Sequence, residues 1–139
     1  MRGIAFDPGG TTGYAVFSNS PHDIAAGDFN YFDLVDRLIT EVEPNIIVVE
    51  AFRLYPWKAK HKTWSSFPEV EVIGAIKHTC YLKGIALIEQ GPDHKQLFDD
   101  NKLRRLGFWT GLSKHARDAC RHALYYMTVG GDHYWVSRL

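Results

Sequence analysis

At 139 residues, 45% hydrophobic and 14% aromatic, the chain suits one well-cored domain spanning 1–139 that buries about two-thirds of its unfolded surface, which excludes a disordered protein. Its longest aliphatic run, Ile46 to Val49, is far short of the roughly 20 residues of a membrane span. The formal net charge of zero hides two opposite halves: residues 1–50 hold eight Asp/Glu against two Lys/Arg, and residues 51–139 hold fourteen Lys/Arg against eight Asp/Glu.

Met1-Arg2 leads straight into the apolar run Gly3-Ile4-Ala5-Phe6, so no leader is expected and the protein is read as cytoplasmic. Asp7 ends that run and opens the turn Asp7-Pro8-Gly9-Gly10-Thr11-Thr12-Gly13, after which Tyr14-Ala15-Val16-Phe17 reads as a second strand. A strand–turn–strand with an acid at its rim is neither a Walker loop, which needs GxxxxGK[ST] before a helix, nor a dinucleotide fingerprint. A third short strand is expected around 24–29, then a helix from about Phe32 to Val42 with Leu34, Val35, Leu38, Ile39 and Val42 as its apolar stripe. Asn45-Ile46-Ile47-Val48-Val49-Glu50 is continuously apolar up to its terminal acid, the pattern of a strand buried on both faces of a parallel sheet. After the basic, aromatic segment 51–66, a helix follows Pro68 with Val72, Ile73, Ile76, Cys80 and Leu82 as candidate core and Gly84 as its C-cap. Ile85–Ile88 is a fifth strand, 91–112 is weakly patterned, and a last helix covers about 113–127. Three meandering strands followed by helix–strand–helix–strand–helix predict an α/β/α three-layer domain on a five-stranded mixed sheet. Cys80 and Cys120 lie inside predicted helices without CxxC spacing and read as buried free thiols of a reducing compartment.

Glu50 repeats the logic of Asp7, a carboxylate at the end of a buried strand, where open α/β sheets bind ligands. On the last helix, His115, Asp118 and His122 fall within about 60° of one another at 100° per residue. They separate an apolar face (Ala116, Ala119, Cys120, Ala123, Leu124, Met127) from the cations Lys114, Arg117 and Arg121. His115 and Asp118 are read as site residues; for His122 a structural role is favoured. Carboxylates converging with one imidazole suit hard divalent cations, Mg²⁺ first and Mn²⁺ as a substitute. Two ions roughly 3.5–4 Å apart can activate water and stabilise a leaving oxygen in phosphodiester cleavage.

Phe52, Arg53, Tyr55, Trp57, Lys58, Lys60, His61, Lys62 and Trp64 interleave rings and cations, and no acid interrupts Ala51 to Pro68. Such cations neutralise phosphates, and each ring could stack on an unpaired base for about 1–3 kcal/mol. Alternatively, Trp57 and Trp64 anchor a long loop on the core. Lys114 and Arg117 extend a second basic cluster beside the His/Asp stripe and are further candidates for DNA contact. Trp109 and Trp135 lack that context and read as packing residues.

In order along the chain, Ile4-Ala5-Phe6-Asp7-Pro8-Gly9 with Thr12-Gly13, Val48-Val49-Glu50, Pro92-Asp93-His94-Lys95 and His115-Ala116-Arg117-Asp118-Ala119-Cys120-Arg121-His122-Ala123-Leu124 resemble the motifs of RuvC-type Holliday-junction resolvases of the RNase H-like superfamily. The first motif is shared with sugar kinases and actin-like ATPases; the ordered set is the specific signal. The resemblance implies a homodimer that nicks branched DNA, a catalytic and metal-binding quartet of Asp7, Glu50, His115 and Asp118, and 5′-phosphate and 3′-hydroxyl products. It implies two Mg²⁺ per active site, a Lys95 close to DNA phosphate, and a dimer helix after Pro68 where Gly74 and Ala75 allow close approach. The segment between Glu50 and Pro68 has no clear match in the bacterial enzymes, and the compact length is more similar to bacteriophage-encoded relatives. Alternative readings are an RNase H-like nuclease for flaps, forks or RNA–DNA hybrids, a catalytically silent junction-binding module, and a phosphate-binding ATPase domain, for which the chain is too short.

Overall fold

Alternate side chains of the central strands enter different cores, and that alternation builds the molecule. A computed structural model describes residues 1–52 and 67–130. Its sheet comprises β1 (Gly3–Asp7), β2 (Thr11–Phe17), β3 (Ala25–Asn30), β4 (Ile46–Glu50) and β5 (Ala86–Gln90), in the spatial order β3-β2-β1-β4-β5. β1 pairs antiparallel with β2 and parallel with β4, and β4 pairs parallel with β5. The five-stranded mixed sheet expected from the sequence is therefore present. Ile4 and Phe6 of β1, Ile47 and Val49 of β4, and Leu87 of β5 point to one face. There they meet Val35 and Ile39 of α1 (Val35–Val42) and Val72, Ile73, Ile76 and Cys80 of α2 (Pro68–Lys83). Ala5, Ala15, Val48 and Ile88 point the other way, against Leu103 of α3 (Asp100–Leu106) and Ala119, Cys120, Ala123 and Leu124 of α4 (Lys114–Val129).

Small residues let α4 come close. Ala5 and Ala15 lie under it, Ala116, Ala119 and Ala123 face them fully buried, and a Cβ on Gly13 would overlap the backbone carbonyl of His115. Close approach therefore seats the first turn of α4 directly beside the β1–β2 hairpin. Ser113 caps that turn by accepting from the Ala116 N–H at 3.2 Å.

β2 begins at Thr11, inside the expected turn, β5 runs Ala86–Gln90 rather than Ile85–Ile88, and two other differences from expectation are larger. The first helix begins at Val35 rather than near Phe32, because Tyr31 adopts a left-handed backbone (φ 55°) and residues 32–34 form a turn. The stretch 91–112 is more ordered than its weak patterning suggests. It holds a 3₁₀ segment, Pro92–Leu97, and α3, which Asp99 caps by accepting from the Lys102 N–H and Gly107 ends in left-handed geometry (φ 88°). Gly84 is the C-cap of α2 as expected (φ 66°), but Leu82, expected in the core, is exposed on the last turn of the helix. Both cysteines are buried and unpaired; burial pushes the Cys80 thiol up to about 11 and the Cys120 thiol up to about 12, so neither is a reactive thiolate. Among the described residues no helix is long and apolar enough to cross a membrane.

Candidate active site

Because β1 and β4 are adjacent and parallel, their last residues, Asp7 and Glu50, emerge at the same edge of the sheet. The hairpin turn after Asp7 is held shut by Thr12, a fully buried residue whose hydroxyl donates to the Tyr31 carbonyl at 2.6 Å and accepts from the Gly9 N–H. Across from these strands, α4 lowers His115 and Asp118 to the same place. Asp7, Glu50, His115 and Asp118 line one cavity of about 350 Å³, together with Lys95, Lys114, Glu69 and Phe52. A more open hollow shares Lys95, Lys114 and Asp118 with it and continues over Asp99 to Asn101.

The carboxylates differ in their sets of partners. His115 Nδ1 is 3.1 Å from Asp7 Oδ2. Lys95 Nζ bridges Glu50 Oε1 at 3.1 Å and Asp118 Oδ2 at 3.5 Å. Arg121 turns inward instead of joining the solvent-facing cations: it donates to Asp118 Oδ1 at 2.6 Å and to the Phe98 carbonyl at 2.8 Å, and also pairs with Asp100. His122 is fully buried behind the cavity, between Glu50 Oε2 at 3.1 Å and Gln90 Oε1 at 2.6 Å.

Crowding three carboxylates away from water has a visible electrostatic cost. Burial first, and then the neighbouring Glu50 and Asp118, push Asp7 up to about 7, although the His115 hydrogen bond pulls the other way. Burial also works to raise Glu50, but the hydrogen bonds from His122 and from a protonated Asp7, with the charge of Lys95, outweigh it and hold Glu50 down at about 2. His115 is raised, chiefly by its hydrogen bond to Asp7. Lys95 is raised too, since Glu50 and Asp118 overcome its burial.

The donor set fits a hard divalent cation: carboxylate oxygens with one imidazole, lining one cavity. The Lys95 ammonium, lying between Glu50 and Asp118, marks where positive charge is accepted. Among the described residues no three His, Cys, Asp or Glu side chains already stand at coordination spacing.

The remaining sequence candidates separate. Phe52 sits at the cavity wall with its ring 5.1 Å from that of Phe67. Lys114 lines the cavity, whereas Arg117 stacks on the Trp109 ring at 3.7 Å and donates twice to the Trp109 carbonyl. Arg104 stacks on the same ring at 4.0 Å, so Trp109 packs as expected but as a platform for cations. Arg53, Tyr55, Trp57, Lys58, Lys60, His61, Lys62, Trp64 and Trp135 lie outside the described residues. Sequence reasoning missed Gln90, Arg121 and Glu69. Glu69, in the first turn of α2, lines the cavity and leaves Oε2 buried without a hydrogen-bond partner among the described residues; its only signal was an acid directly after a helix-opening proline.

No protein-family model matches the sequence, and no curated relative matches it. Structures do. A Thermus thermophilus RuvC in complex with Holliday junction substrate superposes with a TM-score of 0.68 at 16% identity, covering 99% of this chain and 95% of that one. The fold is that of RuvC-type resolvases. The fowlpox virus Holliday junction resolvase matches with a TM-score of 0.60 at 19% identity, covering 92% of this chain and 99% of that one. The yeast mitochondrial Holliday junction resolvase matches with a TM-score of 0.50 at 13% identity, covering 99% of this chain and 86% of that one. The RuvC-type fold thus spans nearly the whole chain, with α4 and the ends of β1 and β4 enclosing the acidic cavity.

Proposed function

We propose that this chain is a structure-selective DNA endonuclease that nicks four-way junctions and related branched DNA. The observation that carries the reading is the convergence of Asp7, Glu50, His115 and Asp118 on one cavity, within a fold that the neighbours named above use on Holliday junctions. In this reading Asp7, Glu50, Asp118 and His115 hold divalent cations, two Mg²⁺ per site or Mn²⁺ in their place. When bound, the ions supply charge to activate water and to stabilise the leaving oxygen of the scissile phosphodiester. The chain's own residues do the rest. Asp7, buried on its strand end, would serve a cation as the ionised carboxylate, the form that its burial disfavours and that added positive charge would favour. His115 keeps the Asp7 carboxylate oriented, and Lys95 and Lys114 offer ammonium groups to phosphate oxygens at the cavity mouth. The products carry 5′-phosphate and 3′-hydroxyl ends.

Pairing of two copies along α2 would place two cavities on one junction and allow symmetric nicking. Its support is an α2 that is apolar beyond its core face, with Val70, Tyr81 and Leu82 exposed and open space above Gly74. The basic aromatic segment 53–64 and Arg117 are proposed DNA contacts. The deciding experiment is a nicking panel of labelled four-way, three-way, flap, RNA–DNA hybrid and linear substrates with Mg²⁺ or Mn²⁺. Junction nicking above all others is expected. Preference for flaps or hybrids would move the assignment to another RNase H-like nuclease, and junction binding without cleavage in either metal would make it a binding module.

A further inference from the structure

We propose that His122 is a positioning residue for the site, holding Glu50 so that Oε1 alone faces the cavity. The inference deepens the reading of Asp7, Glu50, His115 and Asp118 as cation ligands and rests on it. His122 does not line the cavity and has no exposed surface, so it can act only through its neighbours. An ionised carboxylate only accepts hydrogen bonds, so the contact between His122 Nε2 and Glu50 Oε2 requires the proton on Nε2. At the other ring nitrogen stands Gln90, itself 1% exposed. Its side-chain amide serves Nδ1 either way round, accepting from an Nδ1–H or donating to a bare Nδ1.

The three residues come from three rigid elements, and their spacing is built into the fold. Glu50 and Gln90 are register partners at the ends of β4 and β5, and the Ala51 N–H donates to the Gln90 carbonyl at 2.8 Å, locking that register. His122 lies seven residues after His115 on α4, two turns along the same stripe. Glu50 is thereby held from behind on one oxygen, and the other, which Lys95 contacts at 3.1 Å, is the one offered forward. Without the imidazole the carboxylate can turn about its last bond and lose the alignment that a cation needs. Outer partners that orient a ligand in this way typically change cation affinity about 10–100-fold.

The test is a substitution series read by Mn²⁺ binding to the full chain without DNA. A glutamine side chain can put an amide N–H near the position of Nε2, whereas an asparagine reaches only the position of Nδ1. His122→Gln should therefore bind Mn²⁺ nearly as wild type does, and His122→Asn and His122→Leu about 10–100-fold more weakly. Four-way junction binding in EDTA should be the same in all of them. Equal Mn²⁺ affinity across the series, or equal loss in His122→Gln and His122→Asn, would overturn the positioning role. If His122→Leu fails to fold, the Gln and Asn variants, which keep a polar side chain, carry the comparison. Glu50→Gln separates the two levels of the argument. If it binds Mn²⁺ as wild type does, the cation-site reading fails along with the positioning role; if it loses Mn²⁺ while the His122 series is flat, only the positioning role fails.

Discussion

The two faces of the sheet are built to different rules. Under α1 and α2 the strands present large aliphatic and aromatic side chains, and stability comes from volume: Ile4, Phe6, Ile39, Ile47 and Ile76 are fully or almost fully buried. Under α4 they present Ala5, Gly13 and Ala15, and the helix answers with Ala116, Ala119 and Ala123. That second face gives up packed volume for proximity, which lets His115 and Asp118 reach the ends of β1 and β4. The first face should therefore answer to stability assays and the second to activity assays.

The largest effect should come from Asp7→Asn, which removes charge from the centre of the site. Junction nicking should fall about 10³-fold or more, the equivalent of several kcal/mol of lost charge stabilisation, while junction binding in EDTA persists. Gly13→Ala follows. Its new Cβ displaces the first turn of α4, so nicking by the folded protein should fall about 10²-fold, the scale of an ångström-sized misplacement. Stability should drop by about 1–3 kcal/mol. Ile76→Ala on the other face should reverse that profile, with about 2–5 kcal/mol lost in urea unfolding and an unchanged rate per folded molecule. An Ile76→Ala protein whose rate falls as far as that of Gly13→Ala would erase the distinction between the faces.

The pH dependence of the metal-free protein is a finer measurement of the active face. Asp7 is raised in the folded state from 3.8 to about 7, so its proton favours folding, and stability is lost as pH climbs through that window. His115 is also raised; its contribution is complete below its ordinary value of 6.5 and is lost as pH rises through its higher folded value. Glu50 is depressed, so its contribution is present above 4.5 and lost only as pH falls toward about 2. Thermal unfolding in EDTA should accordingly weaken from about pH 4 to pH 8, and Mn²⁺ should restore stability most at the alkaline end. Asp7→Asn should flatten the fall between pH 4 and 7. The smallest effect expected is that of Asp99→Ala, which removes the α3 cap and should cost about 1 kcal/mol without touching the site.

Much of this was legible because the strand signals were local. The run ending in Asp7 and the continuous stretch ending in Glu50 each identified a strand and the acid at its end without reference to the rest of the chain, as the glycine-rich segment identified the hairpin. The wheel of α4 placed His115 and Asp118 together for the same reason. The part of α4 whose partners could not be read from the sequence depends on tertiary register. His122 finds Glu50 only because β4 and β5 pair so that Gln90 stands beside it, and no spacing in the sequence encodes that pairing. Arg121 looked like a member of the basic face, yet three acceptors brought together by folding draw it inward. α3 was overlooked although Asp99 and Gly107 mark both its ends, because at seven residues it is too short to show a period.

A single rod carries His115, Asp118 and His122, and that has a consequence for how this chain can diverge. The groups are mutually fixed by helical geometry, about 10.5 Å from first to last at 1.5 Å per residue, so they cannot be adjusted one at a time. One residue inserted between His115 and His122 would rotate everything beyond it by about 100° and separate Glu50 from its support. An insertion in the 107–112 connection would leave the rod whole. Length changes among natural variants should therefore accumulate before Ser113 and be absent for the two turns that follow.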